Sequence, residues 1–410
     1  MLRPGHAIVL AALGLLTLGV VMVNSAGMSM DPSKTVTLQT VVTSKPVIFM
    51  ALALIAMFVM SRLNWDRALV SDWTARWIPM LVPITLVALA TVYLPHIGKE
   101  VNGSRRWLQM PGTSFQAQPS EIAKWAMVLV VAWFVTRRAS KMESWKHGFL
   151  PGALLIGFIA AFVAKEDLGT GALILATGCV MLIAGGAKIA HFLPAIPVAA
   201  AGFAVAVIAS PYRVKRLTAF LDPYGDAEKT GFHMIQSLSA VANGNLFGRG
   251  LGFGVQKFGY LPEDTTDFVF AIICEELGAA GALLVLFLYA VVIWAGWAIV
   301  KRQTSQMAKL VALGVVVTFG LQAIINLLVV TGLAPTKGIA LPLISSGGTG
   351  WILTSASLGI LLALDRADAR REAAAQQNEL TMCHRSPLGV VGADPQQPTP
   401  VISTIAAIPG

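Results

Sequence analysis

Acidic and basic side chains occur together in a few short segments of this sequence. These are the stretch from Lys99 to Lys124, the triplet Lys165-Glu166-Asp167, the stretch from Glu263 to Asp267, and Lys337. A carboxylate can act as a general base towards a hydroxyl, and lysine and arginine bind phosphate oxygens. The residue types therefore predict a site that activates a hydroxyl and holds a phosphate-containing substrate.

The rest of the chain is apolar, which is typical of helices that cross a membrane. Of the 410 residues, 56% are hydrophobic and only 12% are charged, whereas about a quarter of the residues in soluble domains are charged. A hydrocarbon core of about 30 Å requires about 20 apolar residues per helix, so we measured the apolar runs against that length. The runs lie at 6–28, 46–60, 77–94, 122–136, 149–164, 168–186, 191–210, 268–300, 308–333 and 341–364. The predicted fold class is an all-α polytopic membrane protein with about ten transmembrane helices.

The basic residues between the runs predict the side of the membrane on which each connection lies. The net charge of +9 could suggest nucleic acid, but the basic residues are scattered between the runs, so nucleic acid is not an expected partner. With the N-terminus inside, the cytoplasmic connections hold about twice as many lysines and arginines as the short outer loops. Both termini are therefore predicted to be cytoplasmic.

This orientation places the charged segments outside the cytoplasm. It also places outside a large glycine-rich loop, residues 211–266, between the seventh and eighth helices, and ordered loops of such length usually carry function. A site outside the cytoplasm has no access to ATP or nucleotide sugars, so its substrate must arrive already activated. A membrane lipid that carries a sugar on a pyrophosphate meets this requirement.

The run at 268–300 is too long for one upright span, since about 33 residues would make a helix of about 50 Å. Gly278 or Gly281 is predicted to mark a break or a close contact with a neighbouring helix. Glu275 and Glu276 precede this point, and we expect at least one of them to pair with a basic group inside the bundle. His233 and His191 are isolated and are also expected to be structural.

Eight motifs, in order along the chain, carry a resemblance to a known family. The longest is QKFGYLPEDTTDFVFAIICEELG at 256–278. The others are NGSRRW at 102–107, QPSEIAK at 118–124, DLGT at 167–170, RLTAFLDPYGD at 216–226, QSLSAVANGNLFGRGLG at 236–252, PTKG at 335–338 and PLISSGG at 342–348. Together they resemble the FtsW/RodA/SpoVE proteins, the shape, elongation, division and sporulation family. The VQK and PTKG stretches are more similar to the division branch, FtsW, than to the elongation branch, RodA.

The resemblance implies a peptidoglycan glycosyltransferase in the bacterial cytoplasmic (inner) membrane. Its substrate would be lipid II, an undecaprenyl-pyrophosphate-linked disaccharide peptide, polymerised into glycan strands on the outer face. The implied partner is a class B penicillin-binding protein, which supplies the transpeptidase. Other divisome or elongasome proteins and membrane lipids are further expected partners.

The family's essential aspartate corresponds to Asp267, and the basic residue of its last outer loop corresponds to Lys337. Asp267 would act as a base as the new bond forms, or would position the acceptor or a divalent cation, Mg²⁺ or Mn²⁺. No other cofactor is predicted. A structural alternative exists for Asp267, because an aspartate just before a helix can cap its free N–H groups.

Further residues are predicted to bind the substrate or its pyrophosphate. They are Arg105, Arg106, Glu121, Lys124, Arg213, Arg216 and Ser345. Structural alternatives exist here too, because arginines at helix ends often reach lipid headgroups. Glu121 and Lys124 lie three residues apart on a predicted helix and could simply pair with each other.

The sequence departs from the family pattern at several positions. Thr265 stands where histidine is common, Ser346 where tyrosine is usual, Lys165-Glu166 where glutamine and proline usually occur, and Gly259 where an acidic residue is common. These departures bear on substrate contacts and metal binding.

Two rival functions fit a polytopic membrane protein. A lipid-linked precursor transporter (flippase) should carry polar residues at mid-membrane or on both sides, whereas here they concentrate at the outer ends of the helices. A non-catalytic scaffold that recruits the penicillin-binding protein predicts that Asp267→Ala leaves function intact. In either case residues 1–364 form the membrane domain, and residues 365–410 are predicted to be a charged helix end followed by a disordered cytoplasmic tail.

Overall fold

The computed structural model describes residues 3–27, 41–94, 97–101, 104–109, 116–228, 231–258 and 260–385. These residues are predominantly helical, which confirms the predicted class of helical membrane protein. Asn102 and Gly103, the departure at Gly259, and residues 386–410 of the predicted tail lie outside the described residues.

Within the described part of the chain, seven helices are long and apolar enough to cross a membrane. Two shorter apolar segments, Ile78–Tyr93 and Leu168–Ala184, accompany them, and together these elements account for the first nine predicted runs. Numbered along the chain, the described α-helices are α1 (Pro4–Ala26), α2 (Lys45–Arg62), α3 (Trp65–Val70), α4 (Asp72–Trp77), α5 (Leu81–Ala90), α6 (Pro119–Arg137), α7 (Leu150–Ala164), α8 (Leu168–Ala184), α9 (Ala195–Ile208), α10 (Pro211–Leu221), α11 (Phe232–Asn243), α12 (Val269–Arg302), α13 (Gln306–Val330) and α14 (Thr349–Arg385).

Helix α13 lies at the centre of the bundle and packs against α6, α8 and α12, while α1 packs against α12. Small residues permit these close contacts. A Cβ atom added at Gly314 of α13 would lie 2.5 Å from Val128 of α6 and 2.8 Å from Met181 of α8. Helix α9 is the opposite case, because Val207 is its only buried residue. Such an apolar, unpacked surface is compatible with lipid contact.

The predicted break in the eighth run is confirmed at Gly278, whose φ of 65° and ψ of −162° are not helical. The break lets residues 244–252 of the large loop dock against α12. Here the Ala279 N–H donates to the Asn245 carbonyl (3.0 Å), and the Arg249 N–H donates to the Glu275 carbonyl (2.9 Å). A Cβ atom at Gly278 would lie 2.3 Å from the Gly248 nitrogen, so only glycine fits this contact.

A small antiparallel sheet in the region of Lys99 was not expected from the sequence. Its strands are β1 (Gly98–Val101), β2 (Ser104–Gln109) and β3 (Gln116–Ala117), in the order β1-β2-β3. Opposite charges face each other across it, since Glu100 pairs with Arg105 in the register. The sheet therefore fixes the position of Arg106, the residue after Arg105 in β2.

The predicted large loop contains regular structure, because helices α10 and α11 lie within residues 211–266. The last predicted run, 341–364, also differs from expectation. Its first eight residues are not helical and are largely buried, and α14 begins only at Thr349. Local hydrogen bonds favour this turn, since the Ser345 hydroxyl accepts from the Leu341 N–H (2.7 Å).

The helix α14 continues to Arg385, well past the predicted domain boundary at residue 364. Compactness divides the chain at a similar place, into Met1–Asp368 and Ala369–Gly410. The predicted charged helix end is therefore helical as far as it is described, and disorder of the tail stays a prediction.

Candidate active site

A cavity of about 570 Å³ lies at the end of the bundle where α12 begins. Its walls come from β2, α6, α10, α11, the turn before α12, and the irregular segment 336–348. The charged and titratable residues that line it are Arg106, Glu121, Lys215, Arg216, His233, Glu263, Asp267 and Lys337. The structure thus brings together carboxylates and cations that are far apart in sequence.

The carboxylate of Asp267 lies beside the guanidinium of Arg106. A Cβ atom built on Gly338 would lie 3.1 Å from Asp267 Oδ2 and 3.2 Å from Arg106 Nη1. Both charged groups therefore approach the backbone next to Lys337, and any larger side chain at Gly338 would press on them. This arrangement places the predicted base at the wall of the cavity rather than in a purely capping position.

Burial raises the pKa of Asp267 to about 7. The neighbouring Glu263 carboxylate contributes to this rise, whereas Arg106 and Arg216 oppose it, and the pKa of about 7 is the net result. A carboxyl group with a pKa near the ambient pH is a stronger base than an ordinary aspartate and is still partly ionised. The environment of Asp267 therefore suits proton transfer.

Lys337 and Arg216 supply further positive charge to the cavity. The Arg216 guanidinium donates to the Thr336 carbonyl (3.2 Å) and lies over the Tyr212 ring. Burial lowers the pKa of Lys337, Asp167 opposes this effect, and Arg213 adds to it. With Arg106, these cations could hold the two phosphates of a pyrophosphate.

Glu121 and Lys124 pair as the structural alternative predicted, with Nζ and Oε2 2.8 Å apart. Only Glu121 lines the cavity, while Lys124 is buried behind it and also donates to Gln322 Oε1 (2.7 Å). A role of Glu121 in binding substrate stays a prediction. Lys124 does not line the cavity but contacts two residues that do, Glu121 and Gln322.

The structure does not bring Arg105 and Arg213 to this cavity. Arg105 is half exposed and pairs with Glu100 at 3.3 Å on the sheet. Arg213 donates to the carbonyls of Ala164 (3.0 Å) and Lys165 (2.7 Å), which lie at the C-terminal end of α7. Both side chains thus have partners outside the cavity: Arg105 pairs with a residue of the sheet, and Arg213 donates to the end of α7.

Ser345 lines the cavity, but its hydroxyl accepts from Leu341 and its carbonyl accepts from Trp351 Nε1 (2.6 Å). Its evident role is to fold the segment 341–348. The neighbouring departure from the family pattern, Ser346, also lines the cavity, and its N–H donates to the Thr265 carbonyl (2.8 Å). The two departures at Thr265 and Ser346 therefore lie side by side in the site.

The departure at Lys165-Glu166 lies away from this cavity. Glu166 accepts from the Tyr93 hydroxyl (2.7 Å) and from the Arg105 N–H (3.0 Å), so it fastens β2 to the membrane helices.

Farther along the chain, Glu276 is fully buried and pairs with Lys257 at 2.8 Å. This confirms the expectation that one of the two glutamates pairs with a basic group inside the bundle.

Three polar residues at the site were not expected there from the sequence. His233 lines the cavity and its ring stacks on Phe268 at 6.0 Å between centroids. Burial lowers the pKa of His233, and Arg216 lowers it further. Gln322 and Asn326 are buried polar residues four positions apart in an apolar helix, a pattern that signals function within a membrane. An isolated histidine in a loop gave no comparable signal.

The described side chains do not by themselves assemble a site for a divalent cation. In the described ranges, no three histidine, cysteine, aspartate or glutamate residues gather closely enough to hold a metal ion. The group beside Asp267 is the cation of Arg106. These donors do not fit a site for Mg²⁺ or Mn²⁺.

The sequence has close relatives among characterised families. The pattern of the FtsW/RodA/SpoVE family, described as a cell cycle protein, matches residues 6–370. Stage V sporulation protein E of Bacillus subtilis is 38% identical over 371 residues, which cover 88% of this chain and 97% of that protein. A probable peptidoglycan glycosyltransferase FtsW of a Geobacter species is 39% identical over 290 residues, covering 70% and 78% of the two chains.

Solved structures share the fold. One is a chain of a complex described as "Structural coordination of polymerization and crosslinking by a peptidoglycan synthase complex". It matches with a TM-score of 0.70 and 27% identity, covering 88% of this chain and 97% of that chain. The rod shape determining protein RodA of Thermus thermophilus matches with a TM-score of 0.59 and 24% identity, covering 88% and 95%.

Proposed function

The chain belongs to the FtsW/RodA/SpoVE family, and we propose that it is a peptidoglycan glycosyltransferase that polymerises lipid II. The observation that carries the proposal is the meeting of the Asp267 carboxylate, Arg106 and Lys337 in one cavity. The names of relatives in this family, including the FtsW glycosyltransferases, support the same activity. The similarity of VQK and PTKG to the division branch favours a role in cell division.

The cavity suits the charge distribution of the reaction. An acceptor hydroxyl of one lipid II attacks the anomeric carbon of another, and Asp267 takes the hydroxyl proton as the new C–O bond forms. The bond between the anomeric carbon and the phosphate oxygen breaks, and its electron pair leaves with undecaprenyl pyrophosphate. Arg106, Arg216 and Lys337 bind the negative charge that develops there.

The substrate and partner define where the protein works. The cavity faces the outer side of the cytoplasmic (inner) membrane, where flipped lipid II is available, and both termini are cytoplasmic. The partner is a class B penicillin-binding protein, which cross-links the strands. The likeness to a chain of a peptidoglycan synthase complex supports such a partner in general.

The test is polymerisation of purified lipid II by the whole chain in detergent or nanodiscs, together with its class B partner. Asp267→Asn keeps the size of the side chain and removes the base, so we expect a loss of about a hundredfold or more in rate. The matched control is Asp264→Asn. Asp264 lies in the same turn, and burial raises its pKa to about 6, but it is not among the cavity-lining residues. We expect this control to stay within a few-fold of wild type.

Two results would contradict the proposal. Full activity in Asp267→Asn would remove the base from the mechanism. If the wild type makes no glycan although its partner is verified to be folded, the result would favour the transporter or the scaffold. Movement of labelled lipid II across the membrane of vesicles would then test for the transporter.

A further inference from the structure

Helix α13 carries three buried polar side chains spaced one turn apart, Thr318, Gln322 and Asn326. Residues four apart lie on the same face of an α-helix. Burying a polar group in an apolar bundle is costly unless the group is hydrogen-bonded. The partners of these side chains therefore indicate what each one does.

The side-chain amide of Asn326 joins two irregular segments of the site. Its nitrogen donates to the carbonyl of Asp267 (2.8 Å) and to the carbonyl of Ile339 (2.8 Å). Asp267 belongs to the turn before α12, and Ile339 belongs to the segment that carries Lys337. A single buried amide thus ties the backbone of the proposed base to that of the proposed phosphate ligand.

Gln322 holds the same segment one turn away. Its amide nitrogen donates to the Ala340 carbonyl (2.8 Å), and its oxygen accepts from Lys124 (2.7 Å). Two successive carbonyls, those of Ile339 and Ala340, are therefore fixed by α13. The segment 336–348 has no helix or strand of its own, so these bonds replace the regular backbone pairing that it lacks.

We propose that Asn326 is a positioning residue for the transfer reaction, which holds the turn that carries Asp267 at a fixed distance from the segment that carries Lys337. The proposal rests on the function proposed above. The two segments lie close together, since a Cβ atom at Gly338 would lie 3.1 Å from Asp267 Oδ2. A displacement of about 1 Å in an active site can cost about a hundredfold in rate.

Two variants test this role. Asn326→Leu has a similar size but no hydrogen-bond donor, and Asn326→Asp keeps the shape while it loses the amide donors. The control is Thr318→Val, which removes a buried hydroxyl on the same face of α13. The hydroxyl of Thr318 contacts Thr177 at 3.4 Å, and Thr318 does not line the cavity.

We expect kcat for lipid II polymerisation to fall about tenfold to a hundredfold in both Asn326 variants, with KM changed less than about threefold. The phosphate-binding side chains are untouched, so binding should persist. The acid limb of the pH profile should move to lower pH in Asn326→Leu, because a released Asp267 is better solvated and its pKa falls. A merely structural defect would lower the active fraction without moving this limb.

Hydrogen exchange supplies a readout that does not need activity. Amide exchange in residues 262–268 and 336–345 should rise together in Asn326→Leu and Asn326→Asp, and not in Thr318→Val. Unchanged exchange in these segments, or an unchanged kcat in the two Asn326 variants, would overturn the proposal, as would equal losses in Thr318→Val. If wild type makes no glycan, the function proposed above fails. Exchange that rises in both segments would then still show that Asn326 ties them together.

Discussion

At the scale of single residues, Asp267 combines burial with contact to the cavity. The same burial that raises its pKa to about 7 makes its ionised form unfavourable in the folded protein. A catalytic carboxylate of this kind reduces stability while it supplies reactivity. Stability and activity should therefore respond to Asp267 in opposite directions.

Asp267→Asn should raise the melting temperature at neutral pH while it abolishes polymerisation. The sign follows from linkage: a folded pKa of about 7 lies above an unfolded value near 3.9, so wild type loses stability as pH rises between these values. The gain of the variant should be small at about pH 4, grow towards about pH 7 and then level off. Melting curves of both proteins across this pH range measure the difference in melting temperature. A difference that does not depend on pH would contradict the burial of Asp267.

The wild-type rate should depend on pH with the opposite sign. Asp267 must be ionised to accept a proton, so the rate should fall as pH drops below about 7 and follow a single ionisation. Rates at saturating lipid II between about pH 5.5 and 8 measure this limb. If the rate instead fell only near pH 4, the base would be another group or an Asp267 that is not buried.

Lys337 tests how the leaving group is held. Lys337→Met should lower kcat/KM about tenfold to a hundredfold, which corresponds to the loss of one charged hydrogen bond, and Lys337→Arg should retain part of the activity. The control is Lys188→Met, because Lys188 is exposed and pairs with Glu143. Equal effects of Lys337→Met and Lys188→Met would show that charge in general, rather than this position, matters.

At the scale of elements, the large loop is fastened to α12 around its break. Lys257 and Glu276 form a fully buried ion pair at 2.8 Å, and the Ser25 hydroxyl of α1 donates to the same glutamate at 2.7 Å. Glu275 accepts from the Val255 N–H (3.0 Å). These bonds hold the chain that leads to Asp267, so loop, α1 and α12 form one unit.

Removing one partner of this pair should destabilise the protein. Lys257→Met leaves Glu276 buried without its cation, which typically costs about 3–5 kcal/mol, and Lys257→Met/Glu276→Gln should recover part of that loss. Thermal unfolding in detergent measures both variants. Arg105→Met is the control, since its half-exposed pair with Glu100 should contribute less than about 1 kcal/mol. A single variant as stable as this control would argue against a structural role for the pair.

At the scale of the whole molecule, the cavity lies at one end of the bundle. The part of α12 beyond Gly278, residues 279–302, is about 36 Å long and suffices to cross the hydrocarbon core. We therefore expect the residues from Val269 to Gly278 to lie near the membrane surface, and Asp267 precedes them. This position suits a substrate whose lipid stays in the bilayer while its headgroup reacts at the surface.

Thiol labelling tests the side on which this end lies. In a Cys383→Ser background, Tyr224→Cys should react with a membrane-impermeant maleimide on spheroplasts, whereas Glu143→Cys should react only after permeabilisation. Both positions are well exposed, and the remaining Cys179 and Cys274 are half-buried and buried. The reverse pattern would invert the proposed topology.

The sequence by itself determined the helical membrane class, because apolar runs of sufficient length have no other stable arrangement in a bilayer. It also identified the break at Gly278, since an overlong helix must bend and glycine tolerates the required backbone angles. Asp267 and Lys337 followed from motif resemblance, and the pairing of Glu121 with Lys124 followed from helical spacing. These are local properties, which neighbouring residues specify.

Only the tertiary structure decided which charged residues share the cavity. Arg106 enters it and Arg105 does not, because strand β2 directs successive side chains to opposite faces. The segment 341–348 looked helical by composition, yet its Pro342 carbonyl accepts from the Tyr289 hydroxyl of α12 and its Ser345 carbonyl from Trp351 Nε1 of α14. Helix α13 holds the residues just before it. His233, Gln322 and Asn326 belong to the site because of contacts between residues distant in sequence, and local composition gives little indication of such contacts.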